Sequence, residues 1–200
     1  MGIRFSILAL SLLPLSLESR PVSYPGGSTL MLFSDNVRNA VYYHYSPTHR
    51  YSVGIEMVED KYRIENYANL RLTYLLDRRN TDYSQQNLYF QLGFSSNVSD
   101  NHFFGLHGDW ETRRWFAGFN LKSVETKAFK YIDQCYQVGV APYLGDYGDL
   151  HTWIMVKTKK FSSEKGWTTY PVLKFFKGST LLEFGFDKYN TWDAHLMHRF

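Results

Sequence analysis

The chain has a single cysteine, Cys135, among its 200 residues. One cysteine cannot form an internal disulfide, so the sequence excludes a small scaffold stabilised by disulfides. The neighbours of Cys135 are not those of a catalytic nucleophile. We therefore expect Cys135 to be a packed thiol.

The sequence also lacks any stretch near the roughly 18 apolar residues that a membrane-spanning helix requires. Its longest apolar run covers residues 5–17, is interrupted by Pro14 and follows Arg4. A positive charge followed by an apolar run of about 7–15 residues is the layout of a secretory signal peptide. The sequence predicts a signal peptide at residues 1–19 and an exported domain at residues 20–200. A buried N-terminal helix or an uncleaved anchor is the alternative. No cysteine follows the run directly, so no lipoprotein anchor is expected.

A cluster of basic residues is missing as well. The chain has 22 Lys and Arg residues and 19 Asp and Glu residues, which gives a net charge of +3, and the basic residues are spread along the chain. This distribution does not favour a nucleic-acid partner. Aromatic residues are abundant, at 18% of the chain with 16 Tyr and 15 Phe. They are typical of strands and of the aromatic girdles of membrane barrels.

Alternation of apolar and polar residues is the main structural signal. In segment 85–95, the apolar residues Leu88, Phe90, Leu92 and Phe94 alternate with mostly polar or small residues. A period of two over this length predicts a strand rather than a helix. With this segment included, the pattern occurs in twelve places, at residues 28–34, 41–45, 51–57, 66–77, 85–95, 102–112, 114–125, 132–145, 149–160, 168–177, 179–187 and 191–200. The sequence predicts an all-β, antiparallel up-and-down transmembrane β-barrel of about twelve strands. A ten-strand barrel is the alternative, because the first segment is short and Pro171 weakens segment 168–177.

The links between these segments fall into two groups. Those near residues 47–50, 112–114, 145–149 and 177–179 are short, whereas those near 59–64, 95–101, 126–131 and 160–167 are longer and polar. In an outer-membrane barrel with an even number of strands, short turns and both termini lie on the periplasmic side. The link at 78–84 does not fit this division.

The strands have an apolar face and a charged face. In a membrane barrel the apolar face meets lipid, and the other face lines the lumen. The predicted lumen-facing residues are Glu56, Arg71, His107, Asp109, Glu111, Lys122, His151, Lys157, Lys159, Glu183, Asp187, His195 and Arg199. Buried charges need partners, so we expect these residues to pair with one another. A lumen that conducts or binds small polar solutes is the functional alternative.

The last strand resembles the closing strand and assembly signal of Gram-negative outer-membrane β-barrels. Trp192, Leu196 and Phe200 supply the alternating apolar residues, while His198 stands where a hydrophobic residue is usual. The stretches Tyr24-Pro25-Gly26-Gly27, His44-Tyr45-Ser46-Pro47 and 141–153 resemble an uncharacterised bacterial family of outer-membrane barrels. The resemblance implies an outer-membrane location in a Gram-negative bacterium, with outer-membrane lipids and the barrel-assembly machinery as partners. It implies no activity.

A soluble barrel could produce the same alternation by turning its apolar face inward. The signal-like start, the apolar face on nearly every strand and the terminal Phe200 favour the membrane barrel. The expected function is therefore a structural outer-membrane protein or a narrow, porin-like pore for small polar solutes. A lipid-modifying outer-membrane hydrolase and a soluble periplasmic ligand-binding barrel are the alternatives. The sequence does not predict the oligomeric state.

No catalytic residue, cofactor or metal is assigned. His107 and Asp109 share a strand face, but a metal site needs three or four convergent ligands and this spacing supplies two. No serine and histidine motif of a lipid hydrolase is recognisable. The acidic segment 146–149 is expected to be a hairpin turn rather than a calcium site, since it lacks the twelve-residue ligand pattern.

Overall fold

The computed structural model describes residues 21–61, 65–95, 101–125, 130–146, 148–162, 165–188 and 191–200. The predicted signal peptide lies outside the described residues. The strands are β1 (Gly27–Ser34), β2 (Arg38–Thr48), β3 (Tyr51–Asp60), β4 (Glu65–Asn80), β5 (Ser84–Ser95), β6 (His102–Thr112), β7 (Trp115–Glu125), β8 (Lys130–Val140), β9 (His151–Phe161), β10 (Thr168–Lys177), β11 (Thr180–Phe186) and β12 (Trp192–Arg199). The part of the chain that the structure describes contains no helix that could span a membrane.

The twelve strands form one closed barrel in which each strand pairs with its sequence neighbours. The barrel closes where β12 pairs antiparallel with β1, from Thr29 opposite Arg199 to Ser34 opposite Ala194. Closure pairs both edges of the sheet, so no ladder is left open. The prediction of twelve antiparallel strands is confirmed, and the ten-strand alternative is wrong.

The two ends of the barrel differ in their links. The near end holds the start of β1, the end of β12 and the links at 49–50, 81–83, 113–114, 141–150 and 178–179, and the far end holds the other six links. The exceptional link at 78–84 shortens to 81–83 because β4 continues to Asn80. The short link predicted at 145–149 is wrong, since β8 ends at Val140. Pro142 lacks the N–H that a longer ladder would need.

Side-chain burial alternates along the strands, with the apolar side chains on the outside. Met57, Leu70 and Val138 are among the outward residues, and they are 63%, 60% and 58% exposed. Inward residues such as Thr73 and Glu56 are 0% and 2% exposed. This is the reverse of a water-soluble barrel, whose apolar side chains fill the interior.

Candidate functional site

The barrel interior is the candidate site, because buried charges are concentrated there. Nine of the residues assigned to the lumen from sequence are between 2% and 8% exposed: Glu56, Arg71, Asp109, Glu111, Lys122, Lys157, Glu183, His195 and Arg199. His107, His151 and Lys159 are half-buried. Asp187 lies just beyond β11, where its Oδ1 accepts a hydrogen bond from the Thr191 N–H at 3.0 Å.

Six of the interior charges form a chain of alternating sign, which begins in the link after β1 and continues along the wall built by β9 to β12. We call it the six-charge chain, and its order is Asp35, Lys159, Asp193, Lys157, Glu183, Lys174. Three ammonium groups face three carboxylates, so the chain is neutral. Each inner member touches two charges of opposite sign, which offsets the cost of removing them from water.

The contacts of the six-charge chain are short throughout. Lys159 Nζ lies 3.1 Å from Asp35 Oδ2 and also contacts Asp193 Oδ2. Lys157 Nζ lies 3.3 Å from Asp193 Oδ1 and 3.6 Å from Glu183 Oε2. The last contact joins Lys174 Nζ to Glu183 Oε1 at 3.4 Å.

Two further side chains fix the carboxylates of the chain. The Tyr170 hydroxyl donates a hydrogen bond to Asp193 Oδ2 at 2.5 Å. His195 Nδ1 lies 3.8 Å from Glu183 Oε2, and its ring stacks on Phe33 at a centroid distance of 4.3 Å. The carboxylate of Asp193 is therefore held by a hydrogen bond as well as by charge, whereas the stacked His195 ring lies beside that of Glu183.

Asp35 connects the six-charge chain to the far mouth of the barrel. It lies in the link after β1, where its Oδ1 accepts hydrogen bonds from the Val37 and Arg38 N–H groups, each at 2.9 Å. Burial raises the pKa of Asp35, but the positive charges of Lys159 and Arg38 outweigh burial and lower the pKa below its ordinary value. The carboxylate thus stays charged and ties the link to β9.

A second polar group surrounds Arg71 on β4. Its guanidinium donates to Glu56 Oε1 at 2.8 Å and to Gln91 Oε1 at 3.2 Å. Its Cζ lies 4.1 Å from the centroid of the Tyr42 ring, a cation–π distance. The Asn69 amide completes the group with a 3.5 Å contact to Glu56 Oε2.

The near end of the interior is filled by apolar side chains instead. We call this group the apolar floor. It extends from the near end through the middle of the barrel to Tyr170, which lies toward the far end, and consists of Met31, Tyr42, Phe116, Ala141, Trp153, Met155, Tyr170, Val172, Phe176, Leu181 and Met197. Leu181 and Met197 are both 0% exposed. Packing of this kind leaves little room for solute at the near end.

The chain before β1 enters the same end of the barrel. The Ser23 N–H donates to Ser46 Oγ at 2.9 Å, and Ser52 Oγ donates to the Pro21 carbonyl at 2.7 Å. Val22 packs against Leu75 and Tyr89. Residues 21–23 therefore narrow the near mouth from the inside. The sequence gives no sign of this, because these residues carry no strand pattern.

A chamber of about 180 Å³ remains between the apolar floor and the far mouth. Met31 and Phe116 of the apolar floor line one part of it, and Asp35 and Phe161, at the far end, line another. Most of the predicted lumen residues line it as well, but His151, Asp187, Glu111 and Arg199 do not. The chamber is small and highly charged, so it suits water and small polar solutes.

The weaker chemical candidates have a clear place in the structure. His107 Nε2 lies 3.8 Å from Asp109 Oδ2. In the described part of the chain, no group of three or more His, Cys, Asp or Glu residues is placed to hold a metal ion. Thr180 Oγ1 and His198 Nδ1 are 2.8 Å apart, and His198 is exposed on the outer face, away from the chamber.

Sequence analysis missed three members of the six-charge chain. Asp193 and Lys174 follow the same alternation as the neighbouring residues that were assigned to the lumen, so their strand positions could have identified them. Asp35 could not be found in this way, because it lies in a link and its partner Lys159 is 124 residues away.

Comparison with known proteins supports the fold. No family model and no curated protein matches the chain. Among solved structures, the chain is similar to one described as a KdgM porin, with a TM-score of 0.53 and 10% identity over 87% of this chain and 98% of that one. A second, from a study of the in-meso crystallization of membrane proteins, has a TM-score of 0.47 and 9% identity over 88% and 83% of the two chains. At this identity the first likeness concerns the fold alone: the chain folds as a closed twelve-stranded antiparallel barrel like that of a porin.

Proposed function

We propose that the protein is an outer-membrane β-barrel of a Gram-negative bacterium and forms a narrow passage for small polar solutes. The observation that carries the proposal is the apolar outer surface around a charged interior. Only a closed barrel or a helix satisfies every backbone hydrogen bond in lipid. The fold likeness to a KdgM porin supports the same function.

The outer surface fits a membrane on every side of the barrel. Ile55, Leu72, Val156 and Phe184 are 48%, 36%, 49% and 42% exposed, and they lie on four different strands. Aromatic residues such as Trp115 and Trp192, near opposite ends, are 58% and 57% exposed. Such residues are typical of the two membrane–water interfaces. Outer-membrane lipids and the barrel-assembly machinery are the partners that this location requires.

The interior supports a passage of low conductance. The apolar floor and residues 21–23 narrow the near end, and the chamber holds about 180 Å³. The six-charge chain is neutral overall, so we expect weak selectivity between cations and anions from that wall. A wide, unselective channel does not fit this interior.

Planar-bilayer recordings test the passage. We expect small single-channel steps from the purified protein and larger steps from Met197→Ala, because Met197 is fully buried in the apolar floor. Leu196→Ala, on the outer face of the same strand, is the matched control and should leave the steps unchanged. Silence at all voltages from both the native protein and Met197→Ala would overturn the passage and favour a purely structural barrel.

A further inference from the structure

The strongest unexplained feature of the interior is Lys122. Its side chain projects inward from β7, is 4% exposed and lines the chamber. Among the described residues, its ammonium group has no hydrogen bond and no ion pair. It lies over the Phe103 ring, with Nζ 4.7 Å from the ring centroid. A buried charge without an ion-pair partner is costly, so an anion bound beside Lys122 would be stabilised there.

A second cation lies beside the same ring. Arg71 Cζ is 5.3 Å from the Phe103 centroid, and its Nε is buried without a hydrogen-bond partner. Glu56 already accepts from the Arg71 guanidinium and from Asn69. The Glu56 carboxylate is thus already hydrogen-bonded. The Lys122 ammonium group and Arg71 Nε remain as donors for another acceptor.

Two glycines create this arrangement. A Cβ at Gly93 would collide with the Phe103 ring, so the missing side chain lets that ring lie inside the wall beside Arg71. A Cβ at Gly105 would meet Lys122 Cγ at 3.1 Å and the Leu121 carbonyl more closely still. The two positions lie on β5 and β6, between the strands that hold the two cations. The missing side chains of these two glycines therefore leave the space in which Lys122 and the Phe103 ring beside Arg71 lie.

Asp133 is the carboxylate that could compete for Lys122. It stands opposite Lys122 in the register of β7 and β8 and also lines the chamber. No ion pair joins the two side chains in the part of the chain that the structure describes. A negative charge here would repel an incoming anion, which gives a way to test the site.

We propose that Lys122 and Arg71 form a binding site for a small oxyanion, such as phosphate or a short carboxylate, inside the barrel. Charge-assisted hydrogen bonds from the Lys122 ammonium and Arg71 Nε hold the anion. The 180 Å³ chamber limits the anion to a few heavy atoms. The inference rests on the proposed function for the route of the solute, but binding itself does not require conduction.

Thermal unfolding of the detergent-solubilised protein, with inorganic phosphate as the probe and sodium chloride at matched ionic strength as the reference, tests the site. A ligand that binds the folded state raises the unfolding midpoint with its concentration. We expect a saturable rise for the native protein and a loss of phosphate affinity of about tenfold or more in Lys122→Met, which removes a charge-assisted hydrogen bond. Lys177→Met, at an exposed lysine at the end of β10, is the matched control and should keep the native affinity.

Asp133→Asn separates the site from an ion pair between Lys122 and Asp133. The oxyanion site predicts tighter phosphate binding in Asp133→Asn than in the native protein. No saturable effect in the native protein, or binding only in Asp133→Asn, would overturn the proposal. Phosphate binding without any single-channel conductance would support the oxyanion site and contradict the proposed passage. Conductance without phosphate binding would support the passage and contradict the oxyanion site.

Discussion

Asp35 lies in the link after β1 and Lys159 lies on β9, four strands away in the barrel order, yet their carboxylate and ammonium groups meet at 3.1 Å. This ion pair fastens the link after β1 to β9 and begins the six-charge chain. Both side chains are less than one-fifth exposed. The pair thus closes part of the far mouth and is screened only partly by solvent.

Asp35→Asn tests this closure. Asparagine keeps the Oδ1 acceptor for Val37 and Arg38 but removes the charge that Lys159 contacts. We expect a loss of about 1–3 kcal/mol in the free energy of unfolding, between the values for exposed and buried pairs. Urea unfolding from lipid vesicles measures it. Asp77→Asn is the control, because the Asp77–Arg79 pair is 53% and 73% exposed and should contribute little.

The same pair predicts a pH dependence. The pKa of Asp35 is lowered in the folded protein, since Lys159 and Arg38 outweigh the effect of burial. Its contribution to stability is therefore complete above the ordinary pKa of 3.8 and lost as the pH falls through the lower folded value. The difference in unfolding free energy between native protein and Asp35→Asn should be constant near neutrality and shrink in strong acid. A difference that grows as the pH falls would contradict the assigned sign.

Asp193 is the central carboxylate of the six-charge chain. Asp193→Asn leaves Lys157 with Glu183 and Lys159 with Asp35, and each lysine loses one counter-charge. Breaking a buried charge pair from one side costs about 3–5 kcal/mol, and the urea midpoint should fall accordingly. Lys188→Gln, in the link between β11 and β12, should not produce a loss of this size. Equal stability of Asp193→Asn and native protein would show that the chain does not stabilise the barrel.

The outer surface predicts where a charge is tolerated. Ile55→Arg, midway along β3, should destabilise the barrel in lipid by about 2–4 kcal/mol, as expected for arginine near the bilayer midplane. Gln86→Arg, exposed near the near end of β5, should cost much less. Urea unfolding of both variants in vesicles gives the comparison. Equal costs would mean that no lipid contacts Ile55.

Gly54 on β3 is a position where backbone contact forbids a side chain. A Cβ there would lie 2.7 Å from His44 Cα and even closer to the Tyr43 carbonyl oxygen. Gly54→Ala should cost about 1–3 kcal/mol through overpacking. Gly166→Ala is the matched control, because nothing lies within 4 Å of its added Cβ. Heat-induced loss of the folded gel band measures both.

A substitution at Phe200 can distinguish an effect on assembly from an effect on stability. Its N–H donates to the Ser28 carbonyl at 2.9 Å, which alanine preserves, whereas its ring is on a residue that is 62% exposed. In a Gram-negative host, Phe200→Ala should lower the fraction of protein assembled in the outer membrane. The same variant refolded in detergent should unfold close to the native urea midpoint. An unchanged fraction of assembled protein would contradict the predicted role of Phe200 as an assembly signal.

The sequence predicted the features of the barrel that local alternation determines. Strand β5 shows this, since its period of two defines both its conformation and its outward face. The ends of strands were less predictable: β4 continues to Asn80 past a register shift at residues 75–77, and β8 stops before Pro142. Interior contacts such as Asp35 with Lys159 depend on barrel closure, so no local pattern reports them. The burial of Val22 is likewise a consequence of the finished barrel.

The central claim is a closed barrel with a lipid-facing apolar surface, and heat-modifiable gel mobility of outer-membrane fractions tests it most directly. A folded barrel extracted in detergent should migrate differently before and after boiling, and the shifting band should fractionate with the outer membrane. A single mobility under both conditions, together with a monodisperse monomer in detergent-free buffer, would contradict the account.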